Sequence, residues 1–316
     1  MSYLFTTSRK HILKKSLLAI FTCLSAIAFA PATTAQSNSS PKIVTTFLPI
    51  HLFTKAVVGD TTDVEILISP GAEVHDYQAT PNDAKLLAQA DVLVENGLGM
   101  EEFLSALVDN AGNSQLQQIT SSKGIEPIEA EEEHDDHGHD HHHHHHHGEG
   151  NPHVWLDPVL AQQQVANIRD ELIAINPSNA AIYTSNANSY IQQLQELDNE
   201  FQQRLAPVQG CKFITFHDAF PYLAQRYGLE QEAIIEIPED SITPKDIRRV
   251  RKAAKKYKVN ALFTEPGIED KRIEQISSDL NLPLEEIDPL ESGETDPQYY
   301  FQVMQSNLEA LERGCQ

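Results

Sequence analysis

The chain has 316 residues, 46 of them acidic and 23 basic, for a formal charge of −23. So acidic a protein is a poor partner for nucleic acid or for an anionic membrane surface, and its field attracts cations. The length suggests two domains.

Arg9, Lys10, Lys14 and Lys15 precede an apolar stretch, Leu17 to Ala30, followed by small residues ending Thr33-Thr34-Ala35. This is the order of a secretory signal peptide, predicted here over residues 1–35 with cleavage after Ala35. The apolar run is short for a membrane span, and no second one follows. Cys23 sits inside it and reads as part of the leader. The first 35 residues hold those four basic groups and no acidic ones, so their loss takes the charge from −23 to −27. The expected product is exported and periplasmic.

Residues 36–175 are expected to form an N-terminal α/β lobe. Lys42–Phe47, Asp63–Ile68 and Asp91–Glu95 read as strands, and Pro49–Val58, Pro81–Ala90 and Glu101–Asn110 as helices. Strand–helix alternation implies a mostly parallel sheet with helices on its faces. Residues 131–150 interrupt it as a loop rich in His and acid. From Asn176 a stripe of Tyr183, Ala187, Tyr190, Leu194, Leu197 and Phe201 recurs at four- and three-residue spacing, the mark of an amphipathic helix. A helix over Pro177–Leu205 is about 43 Å long, which suits a strut over 176–206 joining two lobes. Residues 207–316 resume the alternation. Strands are expected at Lys212–Phe216, Ala233–Ile237, Ala261–Thr264 and Leu284–Ile287, with helices at Phe220–Tyr227, Pro244–Tyr257, Lys271–Leu280 and Pro297–Arg313. The expected fold is α/β: two lobes joined by one long backbone helix, with a ligand in the cleft between them.

The chemistry is carried by histidine. His134, His137, His139, His141, His142, His143, His144, His145, His146 and His147 crowd one segment, interleaved with carboxylates. Its internal position argues against an expression tag. Neutral imidazoles at that density collect borderline divalent metals even from a solvated loop, as weak secondary sites. His75, His153 and His217 each lie at the end of a predicted strand or in a short Pro-bounded loop. Each alone reads first as a structural residue. Strand-end loops converge on the cleft, so together the three form a candidate site. Imidazole nitrogens suit tetrahedral Zn²⁺, whereas Mn²⁺ prefers more carboxylate. Asp76, Asp157 and Glu265 are candidates to orient these rings, and each is equally readable as a helix cap or a solvated acid. Cys211 and Cys315 are too few for a thiolate zinc site. A disulfide between them and two separate thiols are both open, because spacing does not fix how near their Cα atoms come.

The segments HDYQATPNDAKLLAQADVLVENGLGME, NPHVWLDP and TFHDAFPYLAQRYGL, with Glu265-Pro266 and Asp288-Pro289-Leu290, resemble the metal-binding lipoprotein/adhesin family of ABC-transporter substrate-binding proteins, its zinc-specific group above all. The resemblance runs from Lys42 to the C-terminus. It implies zinc held between the lobes as transported ligand and an ABC-type membrane permease as partner. By position it implies His75 and His153 as ligands from the first lobe and His217 from the second. It implies Asp288 as the fourth ligand, with a water or His51 as alternatives. Some zinc members carry Glu before the first His, where Val74 stands here. A monomer without enzymatic activity is expected. Rival readings are an exported zinc buffer, in which the His tract is the main site, and a zinc hydrolase.

Overall fold

The computed structural model describes residues 40–128, 150–235, 242–268 and 271–316. The expected signal peptide and the ten tract histidines lie outside these residues. The first lobe comprises β1 (Ile43–Thr45), α1 (Leu48–Val58), β2 (Val64–Ile66), α2 (Pro81–Leu87), β3 (Val92–Glu95), α3 (Leu104–Ala111), β4 (Gln117–Thr120) and α4 (Pro158–Ile175). A 3-10 turn at Pro177–Asn179 leads into α5 (Ala180–Leu205). The second lobe follows with β5 (Lys212–His217), α6 (Pro221–Tyr227), β6 (Glu230–Ile235), α7 (Pro244–Tyr257), β7 (Ala261–Thr264), α8 (Lys271–Leu280), β8 (Leu284–Glu286) and α9 (Tyr299–Cys315).

The two sheets repeat one plan. Their orders are β2-β1-β3-β4 and β6-β5-β7-β8, and every pairing is parallel. Parallel strands are covered on both faces, so they read as short apolar runs: Ile43-Val44-Thr45 and Val92-Leu93-Val94 are buried throughout. In each sheet the chain reverses direction of winding beside the central strand, β1 or β5. Loops at the carboxyl ends of strands open a crevice there.

α4 was not anticipated. Asp157 caps it, accepting from Val159 N at 2.7 Å and Leu160 N at 3.4 Å, and Pro158 takes the first helical position. Its buried residues Ala161, Val165, Ile168 and Leu172 follow the helical repeat, but Gln and Asn between them dilute the stripe. α5 buries Tyr183, Ala187, Tyr190, Leu194, Leu197, Phe201 and Leu205, the stripe its sequence announces extended by one residue. It begins three residues later than expected, because Pro177–Asn179 winds as a 3-10 turn.

The α5 stripe does not pack on one lobe alone. A single apolar cluster contains Phe53 and Trp155 from the first lobe, Tyr190 and Phe201 from α5, and Phe213, Phe263 and Tyr300 from the second. Trp155 is central to it: its ring N–H donates to Pro289 O (2.8 Å), Tyr300 Oη donates to its carbonyl (2.8 Å), and Phe47 meets it edge-on at 5.0 Å. A polar pin runs beside this core. Asp198 of α5 accepts from Arg226 Nε and Nη2 of α6 at 2.7 and 2.9 Å and from Tyr227 Oη at 3.1 Å, while Arg226 Nε also lies 3.5 Å from Asp157.

Cys211 and Cys315 form a disulfide with Cα atoms 5.7 Å apart, tying the end of α9 to the start of β5. Gly314 precedes it against β7, where a Cβ would meet Phe263 Cζ at 2.7 Å and Ala261 Cβ at 2.8 Å. A residue without a side chain is required at that approach. Among the described residues no helix is long and apolar enough to cross a membrane.

Candidate metal site

Four side chains meet where the lobes face each other. His75 comes from the loop after β2, His153 from the loop after β4, His217 is the last residue of β5, and Glu291 comes from the loop after β8. One ligand atom from each lies within 4.8 Å of every other. Glu291 Oε1 is nearly equidistant from the three imidazoles, 3.7 Å from His75 Nε2, 3.8 Å from His153 Nε2 and 3.9 Å from His217 Nε2. The two latter nitrogens are 3.4 Å apart. All four side chains are largely shielded from water.

Neighbours fix two of the rings. His217 places Nδ1 2.7 Å from both carboxylate oxygens of Glu265, so Nδ1 carries the proton and Nε2 turns its lone pair inward. For His153, Asn151 Oδ1 accepts from the His153 backbone N–H at 3.0 Å and lies 3.0 Å from its Nδ1. An atom that accepts from a backbone N–H is the amide oxygen, so Nδ1 is again the donor and Nε2 again faces the centre. With both rings neutral, two lone pairs confront each other at 3.4 Å, which is repulsive until a proton or a metal cation lies between them. His75 Nε2 and Glu291 Oε1 are buried and have no hydrogen-bond partner. Unpaired buried polar atoms are costly, and a shared cation satisfies them at once.

Electrostatics divides the four groups. Burial, with His217 and His75 alongside, holds His153 well below the ordinary imidazole value. Burial would lower His217 too, but Glu265 against its Nδ1 outweighs that, and the net direction is upward. Burial would raise Glu291, but His75 and the charge of His217 turn its net direction downward, so it favours the carboxylate form.

Asp288, expected as the fourth ligand, is not one of the four grouped residues. Its Oδ1 accepts from Leu290 N at 2.7 Å, an Asx turn, and its backbone is held by Asn307, which accepts from Asp288 N and donates to Asp288 O at 2.8 Å each. That turn, with Leu290 at φ 68°, aims the next residue, Glu291, into the centre. Burial pushes Asp288 up to about 6. His51, the remaining side-chain alternative, lies on α1 with Nδ1 3.2 Å from Thr45 Oγ1, lowered to about 4 by burial and by Lys55. Of the three acids considered for orienting roles, Glu265 contacts a site ring, Asp157 is a helix cap, and Asp76 accepts from Gln78 at 3.2 Å.

The loop carrying His153 rests on a buried polar network. Asn96 Nδ2 donates to Pro152 O at 3.0 Å, and Gln164 Nε2 donates to Asn96 Oδ1 at 2.9 Å. Glu101 lies beneath, accepting from Thr46 Oγ1 (2.6 Å), Asn96 N (2.8 Å) and Gly97 N (3.1 Å). Burial nevertheless pushes Glu101 from 4.5 up to about 7. A carboxyl whose folded pKa is raised contributes stability fully present below the unfolded value, and loses it as pH rises through the folded one. Between pH 4.5 and 7 this group therefore destabilises the fold progressively, by about 3 kcal/mol when fully ionised. Glu101→Gln should flatten that decline, leaving the variant the more stable at pH 8 and not at pH 4.5. Urea midpoints at the two pH values check this, and parallel declines in both proteins would rule it out.

A family model described as zinc-uptake complex component A, periplasmic, matches residues 43–314. The high-affinity zinc uptake system protein ZnuA of Bacillus subtilis is 34% identical over 306 residues, covering 93% of this chain and 95% of that one. The zinc-binding lipoprotein AdcA of Streptococcus pneumoniae R6 is 33% identical over 312 residues; this alignment covers 95% of the chain but 61% of AdcA. Among solved structures, Zn(II)-bound AdcA from Streptococcus pneumoniae superposes with a TM-score of 0.73 at 31% identity, over 88% of this chain and 58% of that chain. A mutant of the laminin-binding adhesin Lmb from Streptococcus agalactiae gives 0.77 at 28% identity, over 88% and 100%. With nearly the whole of its two lobes matched, the chain belongs to the ZnuA family, component A of zinc-uptake complexes.

Proposed function

We propose that the protein captures Zn²⁺ in the periplasm, holds it between its lobes with His75, His153, His217 and Glu291, and delivers it to an ABC-type inner-membrane permease. The observation that carries this reading is the convergence of three imidazole nitrogens and one carboxylate oxygen, two of the rings having their lone pairs turned inward. Zinc–ligand bonds of about 2.0–2.1 Å put tetrahedral ligand atoms about 3.3 Å apart. Four of the six separations are 3.4 to 3.9 Å and all lie within 4.8 Å, somewhat above that edge, so side-chain movements would contract the group onto an ion. Six-coordinate Mn²⁺ calls for more oxygen than this group offers. Charge also balances: Glu291 as ligand and Glu265 behind His217 offset the two charges of the ion, as a buried dication requires.

A hydrolytic zinc keeps an open coordination position for water. Glu291 fills the fourth position here, which favours a carrier over a hydrolase. The N-terminal leader and the His tract accord with export and with metal capture outside the cytoplasm. The tract ends at His147, six residues before His153, so metal gathered there has a short path to the centre.

The test separates carrier from buffer. Deleting Glu131–Gly148 should leave one tightly bound zinc with affinity within about tenfold of the intact protein, since no proposed ligand is removed. Total zinc bound should fall, and loading from a chelator-buffered source should slow. Loss of nearly all high-affinity zinc on deletion would instead make the tract the main site and the protein a buffer.

A further inference from the structure

Asn151 occupies a junction that the four-ligand description leaves out. Its Oδ1 holds His153 through two contacts of 3.0 Å, to the backbone N–H and to ring Nδ1. Its Nδ2 reaches across to the second lobe and donates to Asp218 O at 2.6 Å and Asp218 Oδ2 at 3.2 Å. Asp218 is the neighbour of His217. The same residue is gripped on its backbone: Tyr222 Oη of α6 donates to Asn151 O at 2.5 Å, and Asn151 N donates to Ile128 O at 2.9 Å. Tyr222 Oη also accepts from Ile128 N at 3.0 Å, so both flanks of the 129–149 segment close on one hydroxyl. Apolar packing of Ile125, Val154 and Tyr222 surrounds these contacts.

We propose that Asn151 is a positioning residue of the metal site, which sets the His153 ring and, with Tyr222, clasps the two lobes beside His153 and His217, so that the clasp governs how long the ion stays. The proposal rests on the reading that His153 and His217 are ligands. The chemistry of a carboxamide is what both tasks need. Its oxygen accepts the Nδ1 proton and thereby presents the Nε2 lone pair, while its NH₂ donates to the other lobe. No other side chain of that length both donates and accepts without charge. A carboxylate retains the first task and loses the second, because it meets Asp218 with like charge. Tyr222→Phe removes only a hydroxyl that holds backbone and does not touch the rings.

The experiment uses the full mature chain loaded with Zn²⁺ or with Co²⁺ as spectroscopic probe. Zinc release into excess chelator, the Co²⁺ absorption spectrum and the melting temperature of the metal-free protein are recorded for wild type, Asn151→Ala, Asn151→Asp, Tyr222→Phe and His153→Ala. Asn151→Ala should speed release at least tenfold and alter the Co²⁺ spectrum. Asn151→Asp should restore the spectrum while release stays fast, and Tyr222→Phe should speed release with the spectrum unchanged. A structural role alone would lower the melting temperature without this split between spectrum and rate. Wild-type release in both Asn151→Ala and Tyr222→Phe overturns the clasp, and Tyr222→Phe keeps the question answerable should Asn151→Ala fail to fold. If His153→Ala keeps wild-type zinc affinity, it is the ligand assignment that falls.

Discussion

Replacing His75, His153 or His217 by Ala, in protein lacking the tract, should weaken zinc binding more than a hundredfold in each case, about 3 kcal/mol. Each substitution leaves a dication short of one of three nitrogens in a site that water enters poorly. His217→Ala should also reduce the stability of the metal-free protein, because it leaves Glu265 a buried carboxylate without its ring partner. The carboxylates give the sharper contrast. Glu291→Gln should cost zinc affinity, since its oxygen lies 3.7 to 3.9 Å from three ring nitrogens, whereas Asp288→Asn should cost less, since Asp288 acts by turning the loop. Calorimetric titration of the five variants decides the matter. Unchanged affinity in any His variant removes that residue from the site, and a larger loss at Asp288 than at Glu291 reverses the assignment.

Removing the disulfide should be the largest single loss of stability, with little effect on zinc. The bond spans 104 residues of sequence. Closing a loop that long restricts the unfolded chain by about 4.7 kcal/mol in the chain-entropy model, and loss of a native bridge typically costs about 2–5 kcal/mol. Cys211 stands just before β5, and His217 ends it, so the bridge lies about 20 Å along the strand from the metal centre. Cys211→Ala/Cys315→Ala protein should therefore unfold at clearly lower denaturant, while its zinc affinity stays within about twofold. Equal denaturant midpoints would mean the loop was already constrained in the unfolded chain.

Much of this arrangement could be read from residues alone, and the failures have local causes. The α5 stripe was legible because Tyr183 to Phe201 repeat at helical spacing over about five turns, and the second lobe because β5 and β7 are short apolar runs between well-marked helices. β4, Gln-Gln-Ile-Thr, was not legible: three of its four side chains are polar, and its place in the sheet comes from pairing with β3. The three histidines stood out at strand ends, where crevice residues belong. Glu291 did not. It sits in an acid-rich stretch with Glu286, Asp288 and Glu294, and only the Asx turn and the positive φ of Leu290 single it out. The role of Asn151 needed distances too, since nothing in Asn-Pro-His says that the amide reaches a second lobe.

The position of Trp155 bears on how cargo can leave. Its ring is fully buried where first lobe, α5 and second lobe share one core, and its N–H is spent on Pro289, two residues before Glu291. Parting the lobes wets the part of that ring not covered by Phe47 and His153 of its own lobe, out of roughly 200 Å² of aromatic surface whose complete exposure would cost about 5 kcal/mol. A conformer that wets the ring completely would be visited about once in several thousand molecules at any instant. Burial of this ring thus biases the protein toward the closed form. Whatever takes the ion works against that bias when it parts the seam, and escapes it by competing for the ion at the ring nitrogens with the seam closed.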